Sequence, residues 1–246
     1  MVIPQPNDVF EQLRNSIRDL EGTRRVKDVL PFGDPAIDSK LPGGGLALGA
    51  LHEVAGGGSD SLHAATAGLF AAGIAARTKG KVLWCSRRSD IFYPALAQVG
   101  LTPDRMIFVE PDGDNDVLAV FEEALRHGGL GAVICEMVRL PMTESRRLHL
   151  AAERTKTIGI AVRRWRRLAE AVDFGHPTAA TTRWRVSPLP SNPLPVPGIG
   201  RSRWQLELIR VKSGECAEFE VEACDGKGYV RVPSNTVDRP FSKAFG

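Results

Sequence analysis

Cysteine is scarce and unpatterned. Cys85, Cys135, Cys216 and Cys224 show no C-x-x-C spacing and no matching histidine cluster, which argues against a zinc site or a disulfide framework and suits a reducing cytoplasm. Long hydrophobic runs are also missing. The longest apolar stretch, Leu62 to Ala76, is interrupted by His63 and is mostly Ala and Gly. It is shorter than the roughly 18 residues of a membrane span, so it reads as a core helix and no membrane association is expected. The first residues, Met1-Val2-Ile3-Pro4, have no basic stretch followed by an apolar run, so no export signal is expected. No internal repeat is present.

What remains is an ordinary globular composition. Hydrophobic residues at 43% and charged residues at 25% of 246 exclude wholesale disorder and leave room for one large core with short appendages. The formal charge of +3 argues for no polyanionic partner by itself, but its distribution is uneven. Ser86 to Val138 holds 4 basic and 9 acidic residues, whereas Arg139 to Arg185 holds 11 basic and 4 acidic ones.

Asn7 to Glu21 places Val9, Leu13, Ile17 and Leu20 at helical spacing, with Asn7 as N-cap and Gly22 beyond the end. A Gly- and Pro-rich linker follows from Thr23 to Gly49, and the regular core is expected to begin near Ala50. Apolar runs predict strands at Leu51 to Val54, Val82 to Cys85, Ile107 to Glu110, Ala132 to Cys135 and Ile158 to Val162. Helices are expected between them at Ser61 to Thr78, Phe92 to Val99, Asp114 to His127 and Thr143 to Arg154. Repeated β-α units of this length call for an α/β fold with a doubly wound, mostly parallel sheet and helices on both faces. Thr181 to Val186 predicts one further strand. Ser187 to Arg201, with five prolines, predicts an irregular loop. Alternation over Arg203 to Lys212, Cys216 to Cys224 and Gly228 to Val232 predicts a C-terminal antiparallel meander. The chain thus divides into an N-terminal helix and linker (1–28), a core with its meander (29–232) and a tail (233–246).

In this architecture a first strand that ends in glycines and enters a helix is where nucleotide phosphates bind, on backbone N–H groups and the helix N-terminus. The segment here is Gly56-Gly57-Gly58-Ser59-Asp60-Ser61-Leu62-His63. Against G-x-x-x-x-G-K-[ST], Gly56 matches, but Ser61 replaces the second Gly, Leu62 the Lys, and His63 the hydroxyl that ligates magnesium. No Lys or Arg occurs from Leu41 to Ala76, and Asp60 puts a negative charge where phosphate oxygens would sit. Tight triphosphate binding is unfavourable on this reading. Two readings stay open: a strand-to-helix turn with Ser59 or Asp60 as cap, or weak binding of a nucleotide or smaller anion through backbone groups.

The approach Pro42-Gly43-Gly44-Gly45-Leu46-Ala47-Leu48-Gly49-Ala50-Leu51-His52-Glu53-Val54 and the stretches Leu148 to Glu153 and Ala180 to Val186 resemble RecA-fold proteins, most closely the ImuA family. Pro188 to Ser191, Pro197 to Arg201 and Glu222 to Gly228 extend the similarity, which spans Val29 to Val232. The resemblance implies a shortened RecA-like core acting in SOS-induced error-prone translesion DNA synthesis. It also implies an ImuB-type polymerase-like partner and an error-prone C-family DNA polymerase, with RecA as a further partner. In active relatives the second core strand delivers a water-activating glutamate, where this chain has Arg87 or Arg88, and a cation cannot serve as that base. Glu136 follows the strand Ala132 to Cys135 at the position of the Walker B acid. The departures imply a pseudo-ATPase without cofactor, metal or catalytic residues.

Arg163-Arg164-Trp165-Arg166-Arg167 concentrates four guanidinium groups round one indole at a predicted strand end. Arginines neutralise phosphates and tryptophan stacks on an unpaired base, so single-stranded DNA is one candidate ligand; a solvated basic face against an acidic partner is the other. Arg201 closes the Pro-rich loop. In Arg183-Trp184-Arg185 strand alternation sends Trp184 one way and both arginines the other, a core tryptophan with exposed arginines or a base platform. The first helix needs a surface to cover Val9, Leu13, Ile17 and Leu20: its own core, another copy, RecA or ImuB. A non-enzymatic adaptor is the function expected. A DNA-dependent ATPase or recombinase, and a SulA-like inhibitor of cell division, are the alternatives.

Overall fold

The computed structural model describes residues 28–87, 90–165, 167–194 and 196–233. The first helix with Val9, Leu13, Ile17 and Leu20, the tail beyond Pro233, and Arg88 and Arg166 lie outside the described residues.

Buried parallel strands need apolar side chains on both faces, and the central segments supply them. Strands β3 (Leu51–Gly56), β6 (Ala132–Met137) and β7 (Ile158–Arg163) are buried along their whole length. With β4 (Val82–Cys85), β5 (Met106–Val109), β8 (Thr182–Leu189), β9 (Arg203–Val211) and β10 (Ala217–Glu222) they form one eight-stranded sheet in the order β10-β9-β8-β3-β7-β6-β4-β5. Pairing is parallel from β8 to β5 and antiparallel from β8 to β10.

Helices α2 (Asp60–Ala76) and α3 (Tyr93–Gln98) cover one face, and α4 (Asp114–His127) and α5 (Met142–Thr155) the other. The switch of helix side leaves a crevice beyond the C-terminal ends of β3, β7, β6 and β4, the usual ligand position of such sheets. Phe70 of α2 stacks on Phe32 at 5.9 Å and meets the indole of Trp184 at 5.6 Å, so Trp184 is a core residue.

Three sequence expectations change. The core does not begin near Ala50: Phe32, Ile37, Leu41 and Leu46, read as linker, are buried against α2. That stretch folds as β1 (Val29–Leu30) paired with β2 (Leu46–Ala47) around the one-turn α1 (Pro35–Asp38), which Asp34 caps. β8 runs on through Pro188 to Leu189, two residues into the expected loop. This is tolerated because β3 ends opposite Val186, leaving β8 only β9 as neighbour beyond it. The last expected strand shrinks to one bridge, Glu222 to Arg231.

Candidate functional site

β3 enters α2 through Gly56, Gly57 and Gly58, over which the side chains of His63 and Ser187 lie close. A Cβ on Gly57 would lie 1.8 Å from the Ser187 hydroxyl oxygen, and one on Gly58 would lie 2.5 Å from the His63 ring. His63 folds back over the turn, with Nδ1 3.2 Å from the Ser59 carbonyl oxygen. Gly56 lies under the same side chain. Ser59 occupies the N-cap position, but its hydroxyl makes no capping bond; it sits 3.3 Å from that of Ser61. Leu62, at the lysine position, is 69% exposed.

Asp60 does not cap the helix either. Its carboxylate receives Nε and Nη2 of Arg164 at 3.0 and 2.9 Å. Asp90 receives Nη1 and Nη2 of the same guanidinium at 2.9 and 2.7 Å, and Glu136 receives Nη1 at 2.7 Å. An arginine has five N–H donors, and three carboxylates engage all five. Burial opposes the charge on Arg164, but the bonds to Asp90 and Asp60 and the nearby Glu136 outweigh it, so the guanidinium is held protonated more firmly than usual. Glu136 is buried and also accepts from Trp84 Nε1 at 3.0 Å and Ser86 Oγ at 2.9 Å.

The absence of local cations between Leu41 and Ala76 therefore does not leave the site without a positive charge. The fold delivers one from the end of β7 and surrounds it with carboxylates. A cleft of about 320 Å³ opens beside the cluster, with Ala65, Leu69, Ile91, Phe92 and Leu96 on its apolar side. Every donor of the Arg164 guanidinium beside this cleft is thus taken by Asp60, Asp90 or Glu136. Among the described residues no group of His, Cys, Asp or Glu is arranged to hold a metal ion.

Among the described residues the other basic candidates do not gather into one DNA-facing patch, which corrects the reading of Arg163, Arg164, Trp165 and Arg167 as parts of a single cluster. Successive residues of an extended chain point to opposite faces, so Arg163 turns away from Arg164. Arg163 is fully buried, bonded to Glu53 at 2.8 Å, to the Val138 carbonyl at 2.6 Å and to Asp173. Arg183, expected on the surface, is buried in the same network, bonding Glu53 at 3.1 Å and the carbonyl oxygens of Phe174 and His176 at 2.7 and 2.8 Å. Thr178 donates to Glu53 beside it. Trp165 is 6% exposed and packs on Phe174 at 5.9 Å, so it offers no open face to a base. Arg167 is exposed. Arg185 pairs with Glu207, and Arg201 with Glu222, each at 3.0 Å. Arg87 pairs with Asp114 at 2.7 Å.

Sequence reasoning missed Asp90, Trp84, Ser86, Glu53 and Asp173. The signal available was strand alternation carried past Val162, which separates Arg163 from Arg164; nothing local marks Asp90 as the partner of Arg164.

Comparison with known proteins places these features. A protein from Caulobacter vibrioides, strain NA1000 / CB15N, called Protein ImuA is 37% identical over 236 residues, covering 91% of this chain and 96% of that one. The same protein of strain ATCC 19089 gives the same match. No family model matches. Among solved structures the RadB recombinase superposes with a TM-score of 0.56 at 17% identity, over 83% of this chain and all of that one, a likeness of fold alone.

Proposed function

The chain belongs to the ImuA family, and from that premise we propose that it is a non-catalytic adaptor of SOS-induced, error-prone translesion DNA synthesis. In this reading it acts in the cytoplasm, joining an ImuB-type polymerase-like protein and an error-prone C-family DNA polymerase, with RecA as a further contact. The observation that carries the proposal is the engagement of all five Arg164 donors by Asp60, Asp90 and Glu136.

A phosphoryl-transfer site needs cations free to neutralise the β and γ phosphates and an acid that holds magnesium. Here the cation is already matched by three carboxylates, and both oxygens of Glu136 accept hydrogen bonds from side chains. A motor uses the arrival and loss of a nucleotide to move its loops. This core closes the corresponding loop with its own ion pairs, from Asp60 at the start of α2 to Arg164 after β7. It therefore serves as a fixed frame on which partner surfaces are displayed.

The test is ATP turnover and partner binding measured on the same preparation, with and without single-stranded DNA. The adaptor binds a purified ImuB-type partner and shows no turnover above background. Robust turnover abolished by Glu136→Gln would overturn the reading in favour of a DNA-dependent ATPase.

A further inference from the structure

In the connection between β8 and β9, residues 190–202, Arg201 at the far end is the one charged side chain: from Val186 to Gly200 there is no Lys, Arg, Asp or Glu. It also leaves large apolar side chains in water, with Leu194 45%, Val196 63% and Ile199 96% exposed. A soluble surface disfavours such clustering unless something covers it.

The loop is built rather than slack. At its neck the Asn192 carbonyl oxygen lies 2.4 Å from where a Cβ on Gly200 would sit, so the two backbones touch and only glycine fits there. Arg203 Nη1 bonds the Asn192 side chain at 2.9 Å. Below the neck, β8 and β9 are paired as far as Leu189 and Arg203. Nearer the tip, Leu194 packs against Gly198. Pro190, Pro193 and Pro197 restrict the backbone, so less freedom is lost on binding than for an ordinary loop.

Nucleic acid is a poor match. Phosphates need cations, and those at the end of the loop and the start of β9 are engaged: Arg201 by Glu222 at 3.0 Å and Arg203 by Glu220. Strand addition is also a poor match, since prolines offer no N–H to a ladder. What fits is an apolar groove that takes the side chains of an extended, proline-stiffened segment.

We propose that the loop between β8 and β9, described over residues 190–194 and 196–202, is a preformed docking finger that inserts Val196 and Ile199 into an apolar groove on the protein's polymerase-like partner. This names the contact surface for the adaptor role above and rests on that reading.

The experiment titrates the purified ImuB-type partner, and separately a fluorescent oligothymidine, against the full chain and its Val196→Asp and Ile199→Asp variants. Both side chains are exposed, so thermal melting is expected to be unchanged and serves as the folding control. The finger predicts that partner affinity falls about tenfold or more in each variant while oligothymidine binding does not change. If the unaltered protein binds the partner and both variants bind it equally well, the finger is wrong and the adaptor role stands. If the unaltered protein does not bind the partner, the adaptor role itself fails. Loss of oligothymidine binding in the variants, with partner binding intact, assigns the loop to DNA and also overturns the proposal.

Discussion

Arg164 presents Nε and Nη2 side by side to the two oxygens of Asp60, at 3.0 and 2.9 Å, a fork-to-fork pair that joins the end of β7 to the first turn of α2. Sequence places these residues 104 positions apart, and their meeting ties the start of α2 to the end of β7.

Removing the cation leaves three carboxylates facing one another in a half-buried site. Arg164→Met is expected to cost about 3 kcal/mol or more, because breaking a buried pair strands its partners. For a chain of this size that lowers Tm by roughly 6–12 °C. Arg164→Lys, with three donors for five bonds, should fall between the two. Thermal melts of the three proteins check the ranking, and equal melting temperatures would show that the cluster contributes nothing to the fold.

Trp165 gives a second, independent check. As a buried side chain against Phe174, its replacement by Ala is expected to cost about 3–5 kcal/mol in urea unfolding. Any single-stranded DNA affinity, measured by anisotropy on the folded variant, should not change. Selective loss of DNA binding at unaltered stability is the contrary result.

The sheet could be read from sequence because its signals are local. β6 and β7 are short apolar runs, and α4 begins and ends where its Gly113 and Gly128 neighbours mark it. The site could not be read the same way. Gly56 to His63 shows that the phosphate loop has lost its lysine, but nothing near it reveals that Arg164 fills the place, since Arg164, Asp90 and Glu136 meet only once the sheet is assembled. The basic run misled for a related reason. Composition groups Arg163 with Arg164, while backbone alternation sends one into a buried network with Glu53 and the other into the cleft. Phe32 and Ile37 were hidden by the prolines and glycines around them, which mark turns well and burial poorly.

His52 sets a pH dependence. Its Nε2 donates to the Ala47 carbonyl and its Nδ1 accepts from the Thr182 hydroxyl, at 2.9 and 2.7 Å, and burial lowers its pKa from 6.5 to about 4. Between those values the unfolded chain binds a proton that the native one refuses. Stability is therefore highest above pH 6.5, declines as pH falls toward 4, and loses about 3 kcal/mol from this group across the window. Urea midpoints at pH 7 and 4.5 should differ less in His52→Gln than in the parent. Parallel profiles for the two proteins would contradict the assignment.

The cysteines are expected to separate by reactivity. Cys216 is exposed, Cys85 and Cys135 are fully buried, and burial pushes the Cys224 thiol up to about 12 and that of Cys135 well above its ordinary value. A disulfide reagent under native conditions should label Cys216 rapidly and the other three only on unfolding. Rapid labelling of Cys85 or Cys135 would show that the β4 and β6 ends open readily.

The central claim is that Arg164 and its carboxylates have replaced nucleotide in the cleft, and calorimetry with ATP and magnesium, in the presence and absence of single-stranded DNA, tests it most directly. The account predicts no saturable heat, corresponding to a Kd weaker than about 1 mM. A one-site isotherm at about 1 μM, lost in Gly58→Val, would contradict it.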